Sequence, residues 1–121
     1  DSATVKVLRA IIDGRIVPLY HNEIMAEYDE VLHRGKFHFK EKSIQMVLTA
    51  VKEFGVEVFP QPTGEIFVDM DDLIFYEAAM EKRDDDAYLV MENQKHYPIR
   101  DFIVTSAEMM EIIQEGEYTD G

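Results

Sequence analysis

The sequence contains no cysteine and no long hydrophobic run. The absence of cysteine excludes disulfides, thiolate zinc sites and cysteine nucleophiles, and it is compatible with a reducing compartment. No apolar stretch approaches the roughly 18 residues that a membrane span requires, and no secretory signal precedes the first predicted helix. We therefore expect a cytoplasmic protein that does not associate with membranes.

Basic residues are also scarce. Twelve Lys and Arg residues stand against 25 Asp and Glu residues, which gives a net charge of −13. This balance argues against broad electrostatic binding to nucleic acid, which depends on Lys and Arg neutralising phosphates. The argument is not decisive for a single site, because salt screens charges beyond about 8 Å and each site is governed by its own neighbours. A basic partner or a divalent metal ion would complement so acidic a surface.

The residues that are present predict one α/β domain over residues 1–121. Hydrophobic residues make up 46% of the chain, which is too many for a disordered protein. Helical periodicity alternates with short apolar runs, a pattern typical of a mainly parallel sheet covered by helices. The predicted helices are 3–13, 23–33, 41–54, 72–82 and one that begins at about 105; the predicted strands are 16–20, 56–59, 87–90 and 102–104; and residues 116–121 are expected to form a loose acidic tail.

One acidic residue borders the apolar face of the second helix. Asn22 is expected to cap this helix, and its apolar stripe is formed by Ile24, Tyr28, Val31 and Leu32. Glu27 lies at the rim of that stripe. An acidic residue inside a helix usually belongs to a solvated face, so two interpretations remain open for Glu27: a solvated carboxylate, or a member of a site.

Residues 33–40, with the sequence HRGKFHFK, are the only locally basic stretch. Three basic residues are interleaved here with Phe37 and Phe39, which makes this stretch the best candidate for contacting a phosphate backbone. The alternative interpretation is a plain helix–helix connection in which both phenylalanines pack into the core.

A second acidic cluster, Asp69, Asp71 and Asp72, precedes a predicted helix. A calcium-binding EF-hand loop starting at Asp69 would need Gly at its sixth position and Glu at its twelfth, but Ile74 and Met80 stand there. Asp72 is expected at the helix start, where the helix dipole alone favours a carboxylate by about 0.3–1 kcal/mol. A plain helix-start charge is therefore one interpretation of Asp72, and a site residue is the other.

Carboxylates remain as the candidates for chemistry. The four histidines show no metal-ligand spacing, and neither a phosphate-binding glycine loop nor a serine nucleophile motif is present. If Glu27 and Asp72 converged to about 4 Å, they would repel by about 4 kcal/mol at an effective dielectric near 20, so such a pair needs a divalent cation. A ligand set with oxygen atoms only favours Mg²⁺ or Mn²⁺ over zinc.

Three stretches resemble the PIN domain family, in particular the small prokaryotic PIN proteins classed as toxin components of toxin–antitoxin pairs. The first is HNEIMAEYDEVLHRGKFHF (21–39), with a helical Glu followed by an Arg-x-Lys-Phe loop. The second is VDMDDLIFYEAA (68–79), an Asp-rich helix start. The third is AYLVMENQKHYP (87–98) with FIVTSAEMM (102–110) after it.

The resemblance implies a three-layer α/β/α fold with a short, mainly parallel central sheet, and a metal-dependent ribonuclease activity. It implies that Glu27, Asp72 and Asn93 are catalytic, that Glu27 and Asp72 are ligands of Mg²⁺ or Mn²⁺, and that Asp69 is structural. Single-stranded RNA is the implied substrate. An antitoxin-like protein is an implied partner, and association into homo-oligomers is expected.

Two departures from the family pattern bear on activity. The family begins with a strand that ends in a metal-binding Asp, and this chain starts beyond it, so we expect a PIN-like domain without that strand and with impaired activity. The usual Thr-Gly before Asn93 is replaced by Met91-Glu92, where Glu92 could offset the missing acid. The alternative function is a non-catalytic PIN-like domain that binds a protein partner.

Overall fold

The computed structural model describes the backbone of residues 2–67, 70–92 and 99–120 and the side chains of residues 2–67, 72–92 and 99–117. The chain divides into two compact units, residues 8–59 and residues 1–7 with 60–121. The described elements are α1 (Ala3–Ile12), β1 (Leu19–Tyr20), α2 (Asn22–Leu32), α3 (Glu41–Phe54), β2 (Val56–Glu57), α4 (Met70–Glu81), β3 (Leu89–Val90), β4 (Ile103–Val104) and α5 (Ser106–Asp120).

The unit of residues 8–59 is built on one parallel strand pair. Leu19 is paired with Val56 and Tyr20 with Glu57. The helices α2 and α3 pack against each other beside this pair. Their buried apolar faces form a core around Leu32, Ile44, Val47 and Val51. The 3.6-residue periodicity of both helices predicts these buried positions correctly.

A close approach joins α3 to β2 at Gly55. Its N–H donates to the Val51 carbonyl (2.9 Å), and the next N–H, that of Val56, donates to the Pro18 carbonyl (2.9 Å). A Cβ atom on Gly55 would overlap the Val51 carbonyl oxygen and lie 2.8 Å from the Pro18 carbonyl oxygen. Since both obstacles are backbone atoms, only glycine fits here without a backbone shift. Pro18 is tolerated because it contributes an acceptor to this junction and no donor.

The unit of residues 1–7 and 60–121 contains a second parallel pair. Leu89 is paired with Ile103 and Val90 with Val104. Its core is formed by Phe67, Tyr76, Ala79, Leu89, Phe102 and Ile103. The ring of Tyr76 on α4 lies 5.8 Å from that of Phe102, and this contact holds the helix against the strands.

The structure confirms an α/β fold with parallel strand pairing, and it corrects several boundaries. His21, not Asn22, is the N-cap of α2, because His21 has extended backbone angles (φ −155°, ψ 160°) and its Nδ1 accepts the N–H of Glu23 (3.4 Å). Each described strand has two residues, shorter than predicted. Helix α4 begins at Met70, so that Asp72 is its third residue.

The C-terminal helix is longer than predicted. Helix α5 continues to Asp120, so the residues expected to form a loose tail from Gly116 onward are helical as far as Asp120. One glycine costs a helix only about 1 kcal/mol, and no proline follows to end it.

No helix in the described part of the chain is both long and apolar enough to cross a membrane.

Candidate functional site

The carboxyl ends of β3 and β4 form one edge of the strand pair in the unit of residues 1–7 and 60–121. In parallel strands these ends point the same way, and ligands of open α/β sheets bind beyond them. The end of α4 lies close to the start of β4, because Arg83, just after the helix, has its guanidinium carbon 4.8 Å from the ring centre of Phe102, just before the strand.

Thr105 and Glu108 close the N-terminus of α5 at this edge. Thr105 N–H donates to Glu108 Oε1 (2.8 Å), and Glu108 N–H donates to Thr105 Oγ1 (3.1 Å). This reciprocal pair is the capping box that the Thr-Ser-Ala-Glu sequence predicts. The start of α5 is therefore rigidly attached to the end of β4.

Glu92 also binds the start of α5. Its Oε1 accepts the N–H of Ser106 (2.8 Å), and Ser106 is buried, with 3% of its surface exposed. The contact links the end of β3 to the helix that follows β4. A carboxylate in this position satisfies a helix N–H group and is stabilised by the helix dipole. Glu92 thus has a structural role that its sequence position does not reveal, because its partner is fourteen residues away.

Asp72 is half-buried in the first turn of α4. This is the helix-start position that the sequence predicts, shifted by two residues, and the helix dipole favours the charged carboxylate here. Asn93 and Asp69 lie outside the described residues, so their predicted roles stay predictions.

Glu27 is half-buried on α2, and the neighbouring acids Glu23, Asp29 and Glu30 are exposed, as the helical pattern predicts. Glu27 belongs to the unit of residues 8–59 and Asp72 to the other unit. Their convergence stays a prediction.

The residue after Glu27 anchors α2 to β1. Tyr28 donates its hydroxyl hydrogen to the carbonyl oxygen of Leu19 (3.0 Å). Burial raises the pKa of the Tyr28 phenol to about 12, because the interior disfavours the phenolate. This contact fixes the face of α2 that carries Glu27.

Within the described residues, no group of three or more His, Asp or Glu side chains is arranged to hold a metal ion. The chemistry of the predicted ligands, the carboxylates of Glu27 and Asp72, suits Mg²⁺ or Mn²⁺ better than zinc.

The family model for the PIN domain matches residues 1–95. The chain belongs to the PIN domain family. Among curated proteins and among solved structures, no match was found. The matched range contains Glu27, Asp72 and Asn93, whereas β4 and α5 lie beyond it. The family resemblance is confirmed, and the toxin–antitoxin role stays a prediction.

The PIN domain also has a charged cluster that sequence reasoning missed. His33 Nδ1 lies 2.7 Å from the Asp29 carbonyl oxygen, and His33 Nε2 lies 2.6 Å from Glu41 Oε2. The hydrogen bonds to Asp29 and then to Glu41 raise the pKa of the His33 imidazole. Those from Gln45 and His33 lower the pKa of Glu41. The cluster joins the end of α2 to the start of α3, and the only sequence signal for it is a histidine between two helical acids.

Proposed function

We propose that this PIN domain is a metal-dependent endoribonuclease module with single-stranded RNA as its substrate. Glu27, Asp72 and Asn93 form its site, and Glu27 and Asp72 are the ligands of Mg²⁺ or Mn²⁺. The observation that carries the proposal is the family match, because it includes all three residues. The same proposal includes a role as a cytoplasmic toxin, an antitoxin-like protein partner and a homo-oligomeric state.

The bound ion would activate a water molecule and stabilise charge on the phosphodiester. The chain's own contribution is position: Asp72 lies in the first turn of α4, and Tyr28 fixes the helix that carries Glu27. With two assigned carboxylates, we expect weak metal binding and slow cleavage.

The first test is calorimetric titration with Mn²⁺. We expect weak binding by the wild type and at least a tenfold loss, about 1.4 kcal/mol, in Glu27→Gln and in Asp72→Asn. Glu23→Gln is the matched control, because it removes the same charge from an exposed position on the same helix. Cleavage of a single-stranded RNA with Mn²⁺ should be lost in the same two variants. Equal Mn²⁺ binding by the control and both site variants would overturn the proposal.

A double-mutant cycle tests whether Glu27 and Asp72 converge. Urea unfolding is measured in a chelator for the wild type, Glu27→Gln, Asp72→Asn and the double variant. Two carboxylates in one site repel, so the effects of the single substitutions should be non-additive by more than about 0.5 kcal/mol. Additive effects would show that the two carboxylates do not share a site.

Protein binding without catalysis is the second candidate function. It is favoured by three large apolar side chains, close in sequence to β1 and β2, that are mostly exposed: Val17 (60%), Phe54 (55%) and Phe59 (58%). Soluble monomers rarely expose large contiguous apolar patches. This function predicts no Mn²⁺ binding, together with self-association or partner binding that Phe54→Gln and Phe59→Gln weaken. Analytical ultracentrifugation of the three proteins tests the self-association.

A further inference from the structure

A short stretch of the surface differs in charge from the rest of the chain. The basic segment, residues 33–40, contains Arg34, Lys36 and Lys40 and no acidic residue, in a protein whose net charge is −13. All three basic side chains are exposed. Screening limits electrostatic interactions to about 8 Å, so an anion at this segment meets these cations together with Asp29, Glu30 and Glu41, which contact His33 and Arg34.

The three cations differ in their partners. Arg34 is held by Glu30, with Nη2 3.0 Å from Oε2. Lys36 and Lys40 form no ion pair with any side chain in the described part of the chain. The Lys36 ammonium lies 5.1 Å from the centre of the Phe37 ring. The Lys40 carbonyl accepts the N–H of Ile44 (3.0 Å), which fixes the backbone of Lys40 at the start of α3.

The aromatic residues of the segment form a stacked pair. The rings of Phe37 and Phe39 are nearly parallel, with 3° between their planes and 5.3 Å between their centres. Phe39 packs against the core of Leu32, Ile44, Val47 and Val51. Phe37, only half-buried, is thus held by a ring that is itself anchored in the core. The expectation that both rings pack into the core is correct for Phe39, whereas Phe37 stacks on Phe39.

We propose that the basic segment is a binding site for single-stranded RNA, in which Lys36 and Lys40 contact phosphates and a base stacks near Phe37. The choice of RNA rests on the proposed ribonuclease function and on the aromatic pair. An acidic peptide would use the two ammonium groups but would gain little from an aromatic ring, whereas every base has a face that stacks. The site tolerates any sequence, because none of its contacts reads a base edge.

The two lysines that form no ion pair with a described side chain, Lys36 and Lys40, set the expected salt dependence of the affinity for RNA. For single strands the logarithm of the affinity falls with the logarithm of salt concentration by about 0.7 per neutralised phosphate. Two contacts give a slope of about −1.4, which is roughly a sevenfold loss between about 50 and 200 mM salt.

The test measures fluorescence anisotropy of a labelled oligouridylate of about 15 nucleotides, in a chelator so that no metal-dependent cleavage occurs. At about 50 mM salt, Lys36→Gln with Lys40→Gln should weaken binding by about tenfold for each lysine and flatten the salt dependence. Phe37→Leu should weaken binding by about fivefold or more without changing the salt slope. Lys6→Gln with Lys52→Gln is the matched control, because it removes two exposed lysines from helices outside the segment.

Three outcomes would overturn the inference. Equal losses in the segment and control variants would show a general charge effect. An unchanged affinity in Phe37→Leu would remove the stacking contact. Displacement of the RNA by oligoglutamate of equal length at the same concentration would assign the segment to an acidic protein. Binding in a chelator does not depend on metal or on cleavage. A protein that binds RNA as expected but never cleaves it therefore contradicts only the ribonuclease proposal.

Discussion

Replacing Tyr28 with phenylalanine tests the link between α2 and β1. The carbonyls of Pro18 and Tyr20 accept N–H groups from the β2 side, at 2.9 and 2.8 Å. Because carbonyls alternate along a strand, the Leu19 carbonyl between them faces away from β2. The Tyr28 hydroxyl is the group that satisfies it. The substitution keeps the aromatic ring of residue 28 and removes the hydroxyl that donates to the Leu19 carbonyl, on the side of the strand that faces away from β2.

The expected loss of stability follows from that geometry. Removing one partner of a buried hydrogen bond costs about 1–3 kcal/mol, because the remaining group stays desolvated. The Leu19 carbonyl is part of a half-buried residue, so we expect the lower half of this range. In a domain of this size, about 1.5 kcal/mol corresponds to a fall in Tm of about 4–8 °C.

The pH dependence of the stability difference distinguishes the loss of this hydroxyl from a general loss of packing. Burial raises the pKa of Tyr28 from 10.0 to about 12, so the folded protein keeps a proton that the unfolded chain releases. The stability that depends on this proton is complete below pH 10 and is lost as the pH rises through the folded-state pKa. The linkage removes about 1.4 kcal/mol from the wild type by about pH 11 and nothing from Tyr28→Phe. The difference between the two proteins should therefore vanish near pH 11 and then reverse.

The assay is urea unfolding of both proteins from neutral pH to about pH 12, followed by circular dichroism. Tyr20→Phe is the control, because the Tyr20 hydroxyl forms no hydrogen bond to a described residue. A difference between the wild type and Tyr28→Phe that stays constant with pH would refute the assignment of a buried, hydrogen-bonded phenol.

Three further predictions concern the backbone and the charged cluster. Gly55→Ala should destabilise the protein by about 1–3 kcal/mol in urea unfolding, whereas Gly35→Ala, with open space around it, should change stability by less than about 0.5 kcal/mol. Gly116→Ala should stabilise the protein by about 0.5–1 kcal/mol if α5 continues to Asp120, and an unchanged stability would contradict that helix. By NMR titration the pKa of His33 should lie above its ordinary value of 6.5 and should fall in Glu41→Gln; its contribution to stability should be complete below pH 6.5 and lost as the pH rises through the raised pKa.

Elements that depend on nearby residues were predictable from the sequence. The capping box at Thr105 depends on a spacing of three residues and is found as the sequence predicts. The helical spacing of α3 predicts the burial of Ile44, Val47 and Val51 correctly, whereas Phe54 at the end of the same face is exposed. The predicted N-cap of α2, Asn22, was wrong. Asparagine is in general a better capping residue than histidine, but the backbone angles place His21 at the cap. Strand lengths were overestimated because an apolar run continues past the residues that pair.

Contacts between distant residues were not predictable in the same way. Glu92 and Ser106 are fourteen residues apart, and His33 and Glu41 are eight residues apart. Nothing in the local pattern distinguishes these partners from other polar residues. Glu92, which the sequence suggests as a replacement for the missing acid, accepts the N–H of Ser106 at the start of α5, and its role in a site stays a prediction.

The acidic residues near the carboxyl ends of β3 and β4 have a structural cause that is independent of catalysis. This edge of the strand pair receives the start of α5 with Glu92 and Glu108, Asp72 lies in the first turn of α4, and each helix start favours negative charge. Acidic residues at this edge are therefore expected in an inactive domain as well as in a nuclease. Glu27 is different, because it lies in the middle of α2, away from both ends of that helix. The case for a metal site thus depends more on Glu27 than on Asp72, and loss of Mn²⁺ binding in Glu27→Gln is the stronger of the two results.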